Sequence, residues 1–571
     1  MNRLRPIFLA FVVVASALLS YGVLTLPKAQ PSEAEGFSAA RVLDDIEVIS
    51  KNHHSVAHPA ERADVREYLV KRLEDIGGQV SLYKYDSLTG PENKHVSYTF
   101  DAVNIVADFL PAEVSSDTTW LMLVAHYDSR YSTPMPKDTV WSYGAADDGY
   151  GIGTALELVS QLLELREQWN HGIRVLYTDA EEVGMKGMKA AWENDRQLFD
   201  DVALLINIEA RGSWGPALLF ETSSGNEKLM ELYSKARYPY TYSLTNVVYG
   251  MMPNFTDFTI VKDDIPGMNF SCIADVNIYH TDQDCLENVS VRTIQHYGEQ
   301  ILPVAVAFMT DDAYSERGCL KSDKDTVNFT IPLLGLFNAD KTIYKVICVS
   351  IFVIFLLLLV FEGLRGRVKA AKVFKYSCMM LLSAIAIMAF GELIAYACAS
   401  AAGAHFKPFG IVQGVTFDNI AMIISILLLL AGVLLIYTAN RRAAVRSSSG
   451  SMRASAARTA ASKYAYTVLY GALALLFILS ALLLFALGEN LMFMIPLAFA
   501  SMAMILWHVT SLKLWLPVSI FLILLHAFSF LFALAMALTI GAFGVIAMLA
   551  FIDMMVLVPM ADLYIMSNHK K

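Results

Sequence analysis

Hydrophobic and polar positions follow two different patterns along this chain. Between residues 40 and 311, short apolar runs alternate with amphipathic stretches. The apolar runs predict strands at 102–109, 120–125, 173–177, 203–208, 216–220 and 267–273. Helical periodicity is found at 60–77, 149–168 and 289–309. Strands that alternate with helices predict an α/β sandwich with a mostly parallel central sheet.

The rest of the chain consists of apolar stretches of about 20 residues, enough to cross the hydrocarbon core of a bilayer. The first, at 7–25, follows Arg3 and Arg5, and its length favours an N-terminal anchor over a cleaved signal peptide. Further spans are predicted near 344–363, 375–400, 418–439, 465–487, 490–509, 514–537 and 540–562. We therefore predict a transmembrane anchor at 1–29, a polar domain at 30–342 and an all-α transmembrane domain of about seven helices at 343–571.

Charge is divided unequally between these parts. Residues 26–342 contain 48 acidic and 26 basic side chains, whereas residues 343–571 contain 6 acidic and 16 basic ones. The basic residues lie in alternate loops and at both termini, and such loops face the cytoplasm. The pattern predicts an integral membrane protein with both termini in the cytoplasm. The polar domain would be extracytoplasmic, in a bacterial periplasm or cell exterior, or in a eukaryotic organelle lumen.

Composition removes several classes of protein. With 55% hydrophobic residues and a mean hydropathy of +0.45, the chain is neither fully soluble nor disordered. The acidic polar domain argues against nucleic acid as a partner, because phosphate binding needs clustered Lys and Arg. Outside the spans, Cys272, Cys285 and Cys319 allow one disulfide, Cys272–Cys285 first, or free thiols. The stretch 447–462 is predicted to be a flexible cytoplasmic loop.

Short motifs that contain residue types able to bind metals follow the predicted strands and begin one predicted helix. In a parallel α/β sheet, ligands bind beyond the carboxyl ends of the strands. The residues in question are His126, Asp128, Asp147, Asp148, Glu181, Glu182, Glu209, Tyr279 and His280. Their number and their common position predict one metal site.

The side-chain types indicate the chemistry of that site. Two divalent metals can hold a water and a carbonyl oxygen together, which requires a bridging carboxylate plus one His and one carboxylate for each ion. His, Asp and Glu without Cys suit zinc in a catalytic site. Adjacent Glu181 and Glu182 can divide the work, one as general base and one as ligand. Asp128 can accept the second imidazole N–H of His126.

The motifs resemble those of the M28 family of di-zinc aminopeptidases and carboxypeptidases. They are H-x-D-S at 126–129, A-D-D-G at 146–149, E-E-x-G at 181–184, I-E-A-R-G at 208–212 and Y-H-T at 279–281. The resemblance covers about residues 40–311 and implies an M28-like zinc-peptidase sandwich. Together with the predicted spans, the layout is similar to the membrane-bound branch of endoplasmic reticulum metallopeptidase and vacuolar membrane protease.

The resemblance also implies a role for each residue. Asp147 would bridge two zinc ions, one completed by His126 and Glu209 and the other by Glu182 and His280. The catalytic residues would be Glu181 as general base, Asp128 as the partner of His126, and Tyr279 as a hydroxyl that helps to polarise the scissile carbonyl. The family often has a cis peptide after the bridging Asp, here before Asp148.

Three features depart from the family pattern or leave alternatives open. Glu209 stands where many soluble members have Asp, and the longer side chain is expected to affect metal spacing. The helix start D-D-G-Y-G is richer in glycine than is common. The segment 254–258 is similar to one that lines the substrate site in relatives, or is an ordinary turn before a helix.

These observations predict a membrane-anchored di-zinc exopeptidase, with aminopeptidase as the favoured class. A metal-bridging water activated by Glu181 would hydrolyse N-terminal residues of peptides. The alternatives are a single-zinc enzyme resembling glutaminyl cyclase, a non-catalytic binding module, and a transporter with an appended peptidase-like domain. A transporter would use ionisable residues of the spans, which are Glu392, His508, His526 and Asp553. The predicted partners are a peptide substrate and the lipid bilayer. The sequence does not determine whether the protein forms an oligomer.

Overall fold

The structure is a computed structural model. It describes residues 4–23, 26–90, 99–114, 118–131, 133–134, 139–251, 254–415, 418–447 and 454–566. The chain divides into two compact units. The helical unit comprises Met1–Leu24, Ile331–Leu333 and Thr342–Lys571, and the α/β unit comprises Thr25–Thr330 and Leu334–Lys341.

The described residues form the following elements. The strands are β1 Gln79–Thr89, β2 Thr99–Phe109, β3 Trp120–His126, β4 Thr133–Pro134, β5 Thr139–Val140, β6 Gly172–Thr178, β7 Val202–Ala210, β8 Trp214–Thr222, β9 Gly267–Ala274, β10 Thr326–Ile331 and β11 Gly335–Asp340. Helix α1 Leu4–Val23 belongs to the helical unit. The helices of the α/β unit are α2 Ala39–Ile49, α3 Pro59–Asp75, α4 Gly149–Leu163, α5 Lys186–Asn194, α6 Glu227–Tyr233, α7 Ser243–Met251, α8 Phe258–Val261 and α9 Val291–Thr310. The later helices are α10 Lys341–Leu364, α11 Ala370–Ala402, α12 Asp418–Ser447, α13 Ala454–Leu487, α14 Leu491–Thr510, α15 Trp515–Leu538 and α16 Phe543–Ile565.

The α/β unit is built on a seven-stranded sheet in the order β1-β2-β6-β3-β7-β9-β8. Strands β6, β3, β7 and β9 are parallel to one another, while β1, β2 and β8 pair antiparallel at the edges. The predicted α/β class with a mostly parallel central sheet is therefore confirmed. All six predicted strands are present, and β1 was not predicted because its residues are mostly exposed at the sheet edge.

Both faces of the central strands are covered, which explains their nearly unbroken apolar sequences. In β3, Leu121 and Leu123 pack in the same hydrophobic cluster as α2, α4 and α9. The alternate residues Met122 and Val124 pack on the other face, with residues of α5 and α8. Because both faces are apolar, the polar side chains of these strands gather at their carboxyl ends.

A buried histidine makes the α/β unit sensitive to acid. His296 in α9 accepts hydrogen bonds at Nδ1 from the backbone N–H of Ala217 (3.1 Å) and from Gln300 Nε2 (3.0 Å). Burial lowers the pKa of His296 to about 3, whereas an unfolded histidine titrates near ~6.5. The neutral imidazole therefore stabilises the fold above pH ~6.5, and this contribution is lost as the pH falls towards 3.

We expect the substitution His296→Asn to remove this pH dependence, since the amide oxygen can accept in place of Nδ1 without titrating. Relative to the variant, the wild type should lose about 2 kcal/mol of folding free energy between pH 7 and pH 5. Thermal unfolding of the full-length protein in detergent, measured across this pH range, tests the difference. A constant difference between the two proteins would contradict it.

The helical unit contains helices long and apolar enough to cross a membrane. Among the described residues, seven such segments are found, and the last of them, Trp515–Ile565, contains both α15 and α16. The helices lie where the eight apolar stretches predicted spans. The prediction of a flexible loop at 447–462 is wrong for 454–462, which begin α13. These residues are rich in alanine, the strongest helix former, and 448–453 lie outside the described residues.

Basic side chains lie where certain helix ends meet within this unit. Arg5 of α1 donates to the carbonyl oxygen of Tyr564 (2.9 Å), and Lys513 donates to that of Leu563 (2.8 Å). Arg441, near the end of α12, pairs with Asp562 of α16 (2.7 Å). The beginning of α1, the connection before α15 and the ends of α12 and α16 therefore lie at one end of the helical unit.

The four ionisable residues singled out in the spans have different surroundings. His508 bonds with buried Glu362, which also accepts from Arg367 (3.0 Å). Oε1 of Glu392 accepts from the backbone N–H of Gly544 (3.2 Å). His526 is buried, and within the described chain neither ring nitrogen has a hydrogen-bond partner. Asp553 is half-buried.

All six cysteines are free, so of the two alternatives for Cys272 and Cys285 the structure has free thiols.

Candidate metal centre

Two neighbouring parallel strands deliver the first pair of predicted ligands. His126 is the last residue of β3, and Glu209 lies near the end of β7. Nε2 of His126 is 3.7 Å from Oε2 of Glu209 and 3.3 Å from Oδ1 of Asp147. All three side chains are buried. The parallel pairing of β3 with β7 brings these ligands together, as their positions at strand ends predicted.

Asp147 precedes helix α4, and its peptide bond to Asp148 is cis, as the family resemblance implied. Asp148 caps the helix, since Oδ1 accepts from the backbone N–H of Gly151 (3.0 Å). Its other oxygen accepts from the backbone N–H of His126 (3.2 Å). Asp148 thus ties the start of α4 to the end of β3 and fixes Asp147 between them.

Loops on the other side of Asp147 deliver the second pair. Nε2 of His280 lies 3.3 Å from Oδ2 of Asp147 and 3.2 Å from Oε2 of Glu182. Both loops use left-handed backbone at residues other than glycine, with φ of +60° at Ala180 and at His280. Such conformations cost about 1–3 kcal/mol each and concentrate at functional sites.

The five predicted ligands therefore form two groups that share one carboxylate. His126, Asp147 and Glu209 form one group, and Asp147, Glu182 and His280 form the other. In each group the potential ligand atoms lie within 4.8 Å of one another. Asp147 directs Oδ1 towards the first histidine and Oδ2 towards the second. This is the arrangement required of a carboxylate between two metal ions.

The donor set fits zinc. Burial lowers the pKa of His126, but Asp128, Asp147 and Glu209 together raise it well above its ordinary value. Burial likewise lowers the pKa of His280, and Glu182 and Asp147 raise it above its ordinary value. The site therefore favours positive charge at both histidines. Oε1 of Glu182 is buried without a hydrogen-bond partner in the described chain, which leaves it available to a cation.

Asp128 connects the two halves of the site. Nδ1 of His126 is 3.0 Å from the backbone oxygen of Asp128 and 3.7 Å from its carboxylate. The same carboxylate accepts from the backbone N–H groups of Glu181 (2.8 Å) and Glu182 (3.3 Å). Asp128 therefore orients His126 chiefly through its backbone, and its side chain fixes the loop that carries the glutamate pair.

The two glutamates have opposite electrostatic environments. Burial and nearby Glu209 raise the pKa of Glu181 well above its ordinary value. Burial acts in the same direction on Glu182, but His280 and Arg130 lower its pKa well below the ordinary value. Arg130 pairs with Oε2 of Glu182 at 3.1 Å. Glu182 thus stays ionised as a ligand should, while Glu181 has the higher proton affinity that suits a base.

Tyr279 stacks on the neighbouring imidazole of His280, with ring centroids 3.6 Å apart. Burial and the charge of Asp147 raise the pKa of Tyr279 well above its ordinary value. The phenol therefore stays protonated near neutral pH and can donate a hydrogen bond beside the metal site.

Sequence reasoning missed Asp284, which holds the loop that carries Asp147. Its carboxylate accepts from the backbone N–H groups of Ala146 (2.7 Å) and Asp147 (3.3 Å) and from the Ser142 hydroxyl (2.9 Å). Burial and the charge of Asp147 raise the pKa of Asp284 to about 7. Its position four residues after His280 was the one feature of the sequence that could have indicated this role. Acidic residues are common in polar loops, so the feature is not distinctive.

The structure explains the glycine-rich start of α4. A Cβ on Gly151 would lie 2.4 Å from Oδ2 of Asp148 and 2.5 Å from the carbonyl oxygen of Ile208 in β7. Only glycine allows the helix to start this close to the strand that carries Glu209. The unusual motif therefore belongs to the construction of the metal centre.

The segment 254–258 lies beside the site and is bound to the sheet. Asp257 accepts from the Thr178 hydroxyl at the end of β6, and its other oxygen, Oδ1, is buried without a hydrogen-bond partner in the described chain. The hydroxyl of Thr256 accepts from Asn269 of β9 (2.9 Å). Whether it contacts substrate stays a prediction.

Known proteins share the α/β unit. Residues 104–305 match the family model of peptidase family M28. This part of the chain is an M28 peptidase domain. The relatives that it matches are named as a metallopeptidase and a protease.

The relatives are proteins of greater length. Endoplasmic reticulum metallopeptidase 1 of Mus musculus is 27% identical over 243 residues, which are 42% of this chain and 25% of that protein. The vacuolar membrane protease of Pyrenophora teres f. teres is 26% identical over 296 residues, which are 48% of this chain and 29% of that protein. The chain thus matches between a quarter and a third of the length of these relatives.

Among solved structures, the M28 domain is similar to the glutaminyl cyclase of Porphyromonas gingivalis. The two are 18% identical with a TM-score of 0.37, and the match covers 48% of this chain and 98% of the cyclase.

Proposed function

We propose that the protein is a membrane-anchored di-zinc exopeptidase that removes N-terminal residues from peptides. The observation that carries the proposal is the pair of metal-binding groups that share Asp147. Two groups of three ligands favour two zinc ions over the single zinc of a glutaminyl-cyclase-like enzyme. All five predicted metal ligands and both glutamates of the pair Glu181 and Glu182 are present, which also argues against a non-catalytic binding module.

The residues of the site have distinct tasks in this mechanism. His126 and Glu209 would hold one zinc, Glu182 and His280 the other, and Asp147 both. Bound zinc would polarise the scissile carbonyl and make water more acidic. Glu181 would accept the proton of the attacking water and return it to the leaving amine. Its raised pKa supports the first step, because a carboxylate with a higher proton affinity is a stronger base.

Tyr279 would donate its hydroxyl hydrogen to the carbonyl oxygen of the substrate. That oxygen gains negative charge as water attacks, so a donor placed beside it stabilises the transition state more than the ground state. The raised pKa of Tyr279 supports this role, because the phenol keeps its proton.

Action at the C-terminus of peptides is the second candidate. The side chain of Arg211, two residues after Glu209, forms no hydrogen bond or ion pair with any described residue. The guanidinium is near enough to Tyr279 for each group to influence the pKa of the other. A free guanidinium could bind a substrate carboxylate in a bidentate manner. Carboxypeptidase or dipeptidase action would use that contact.

Digestion of a mixed peptide library by the full-length protein, with products read by mass spectrometry, distinguishes these functions. Loss of single N-terminal residues is the expected result. Loss from the C-terminus, abolished by Arg211→Gln, would favour the second candidate. Pyroglutamate formation with one zinc per chain would favour a cyclase. No turnover with two zinc ions bound would contradict the proposed enzyme.

For the membrane part, we propose that both termini lie in the cytoplasm and the M28 domain is extracytoplasmic. Three basic residues, Arg5, Lys513 and Arg441, lie at one end of the helical unit. By the positive-inside rule, an end that carries basic residues faces the cytoplasm. In intact cells of a bacterial host, a cysteine introduced at exposed Lys228 should add labelling by a membrane-impermeant thiol reagent beyond that of the wild type, whose own cysteines are free. Labelling only after permeabilisation would reverse the topology.

A further inference from the structure

A line of buried polar side chains crosses the sheet from the metal centre to Lys262. Oε1 of Glu209 accepts from Nδ2 of Asn207 (3.2 Å), and the same nitrogen donates to Oδ1 of Asn269 (3.0 Å). Nδ2 of Asn269 donates to Oε2 of Glu221 (3.0 Å). Oε1 of Glu221 then pairs with the ammonium group of Lys262 at 2.6 Å. We call these four residues beyond Glu209 the polar relay.

Strand register places the polar relay on one face of the sheet. Asn207 lies directly opposite Asn269 in the pairing of β7 with β9, and Asn269 lies directly opposite Glu221 in the pairing of β9 with β8. Asn207 and Glu209 are two residues apart in β7, so their side chains point to the same side. The relay is therefore a row of cross-strand neighbours that ends at the ligand.

The orientation of the Asn207 amide is determined by its neighbours. Its nitrogen faces two acceptor oxygens, one on Glu209 and one on Asn269, and its own oxygen has no partner among the described residues. Rotating the amide would place an oxygen against both acceptors. Asn207 therefore acts as a donor to Glu209.

Burying the polar relay costs folding free energy. Asn207 and Asn269 are fully buried, and Glu221 is 1% exposed. Buried polar groups cost free energy unless they are paired, and an apolar row would pack at lower cost. Only Lys262 reaches the surface, where its side chain is 29% exposed. Such a row is understandable if it serves the ligand at its inner end.

The two oxygens of Glu209 have different neighbours. Oε1 faces Asn207, whereas Oε2 faces His126 at 3.7 Å. A glutamate has one more rotatable bond than the aspartate common at this position in the family, so its carboxylate needs an additional contact to stay in place. Fixing Oε1 leaves Oε2 free to face the position where His126 and Asp147 would hold a metal ion.

We propose that Asn207 is a positioning residue that fixes Glu209 for metal binding, and that Asn269, Glu221 and Lys262 hold Asn207 in place. The proposal rests on the proposed function, because it takes Glu209 as a zinc ligand. It concerns one of the two metal groups only. The group formed by Asp147, Glu182 and His280 has no contact with the relay among the bonds of the described residues.

Zinc titration of the full-length protein tests the proposal. Zinc per chain and the two stepwise affinities are measured against a competing chelator in the wild type, Asn207→Leu, Lys262→Met and Lys228→Met. Asn207→Leu should weaken one zinc by about 10- to 100-fold and leave the other unchanged. Lys262→Met should weaken the same zinc less. Lys228→Met, which removes an exposed lysine paired with Glu231, should have no effect.

Several outcomes would overturn the proposal. The proposal is wrong if folded Asn207→Leu binds both zinc ions with wild-type affinity. It is also wrong if the variant binds both ions more weakly by the same factor. If Asn207→Leu does not fold, Lys262→Met decides, and an unchanged zinc affinity there rejects the relay. A wild type that binds two zinc ions and cleaves peptides keeps the proposed function in each of these cases. A wild type without a zinc pair would reject both.

Discussion

Glu181→Gln is expected to keep both zinc ions and to lose about 10²- to 10⁴-fold in kcat. The amide has the shape of the carboxylate but cannot take a proton from water. The backbone N–H of Glu181 is held by Asp128 at 2.8 Å, so the loop should keep its conformation. Peptide hydrolysis and zinc content, measured on the same preparation, test both parts of the expectation.

The adjacent residue supplies a matched control. Glu182→Gln makes the same chemical change one position later, in a side chain that lies 3.2 Å from His280 and belongs to a metal group. That variant should lose zinc as well as activity. Near-wild-type turnover of Glu181→Gln would show that another group is the base. Loss of zinc from Glu181→Gln would instead make Glu181 a ligand.

The meeting of two predicted ligands could be foreseen because parallel strands impose it. His126 is the last residue of β3 and Glu209 the last but one of β7, and the two strands are hydrogen-bonded neighbours, so residues 83 positions apart meet at one sheet edge. Apolar runs identified these strands, and the polar residue after each run marked the edge. No knowledge of side-chain packing was needed for that step.

Residues that support the ligands could not be predicted in the same way. Asn207 and Asn269 lie inside apolar strands, where a single polar residue has no distinguishing pattern, and only the register of β7 with β9 brings them together. Asp284 lies in a polar loop, and its hydrogen bonds to residues 146 and 147 depend on tertiary structure. Side chains that act through a second residue are thus the least visible in a sequence.

The spans were predictable for a different reason. Length and hydropathy alone identify them, and α15 and α16 separate at a short turn within one long apolar run. Their internal contacts were not predictable. Glu362, unremarkable in sequence, proves to be buried and bonded to Arg367 and His508.

Replacement of Asp147 is expected to have the largest effect on metal binding, because this residue belongs to both groups. Its two oxygens lie 3.3 Å from Nε2 of His126 and 3.3 Å from Nε2 of His280. Asp147→Asn removes the negative charge between the ions and one of the two acceptor oxygens. We expect both zinc ions to be lost, with hydrolysis reduced by about 1000-fold or more, since metal stabilisation of the transition state contributes several kcal/mol.

Variants of one group distinguish a shared ligand from a general loss of structure. His126→Gln and His280→Gln should each lose one zinc and keep the other, whereas Asp147→Asn loses two, with thermal unfolding confirming that all three proteins are folded. Two lost ions in Asp147→Asn and one in each histidine variant can arise only if the carboxylate serves both sites. One ion retained at wild-type affinity in Asp147→Asn would contradict the bridge, and a wild type that itself binds a single zinc would favour the cyclase alternative.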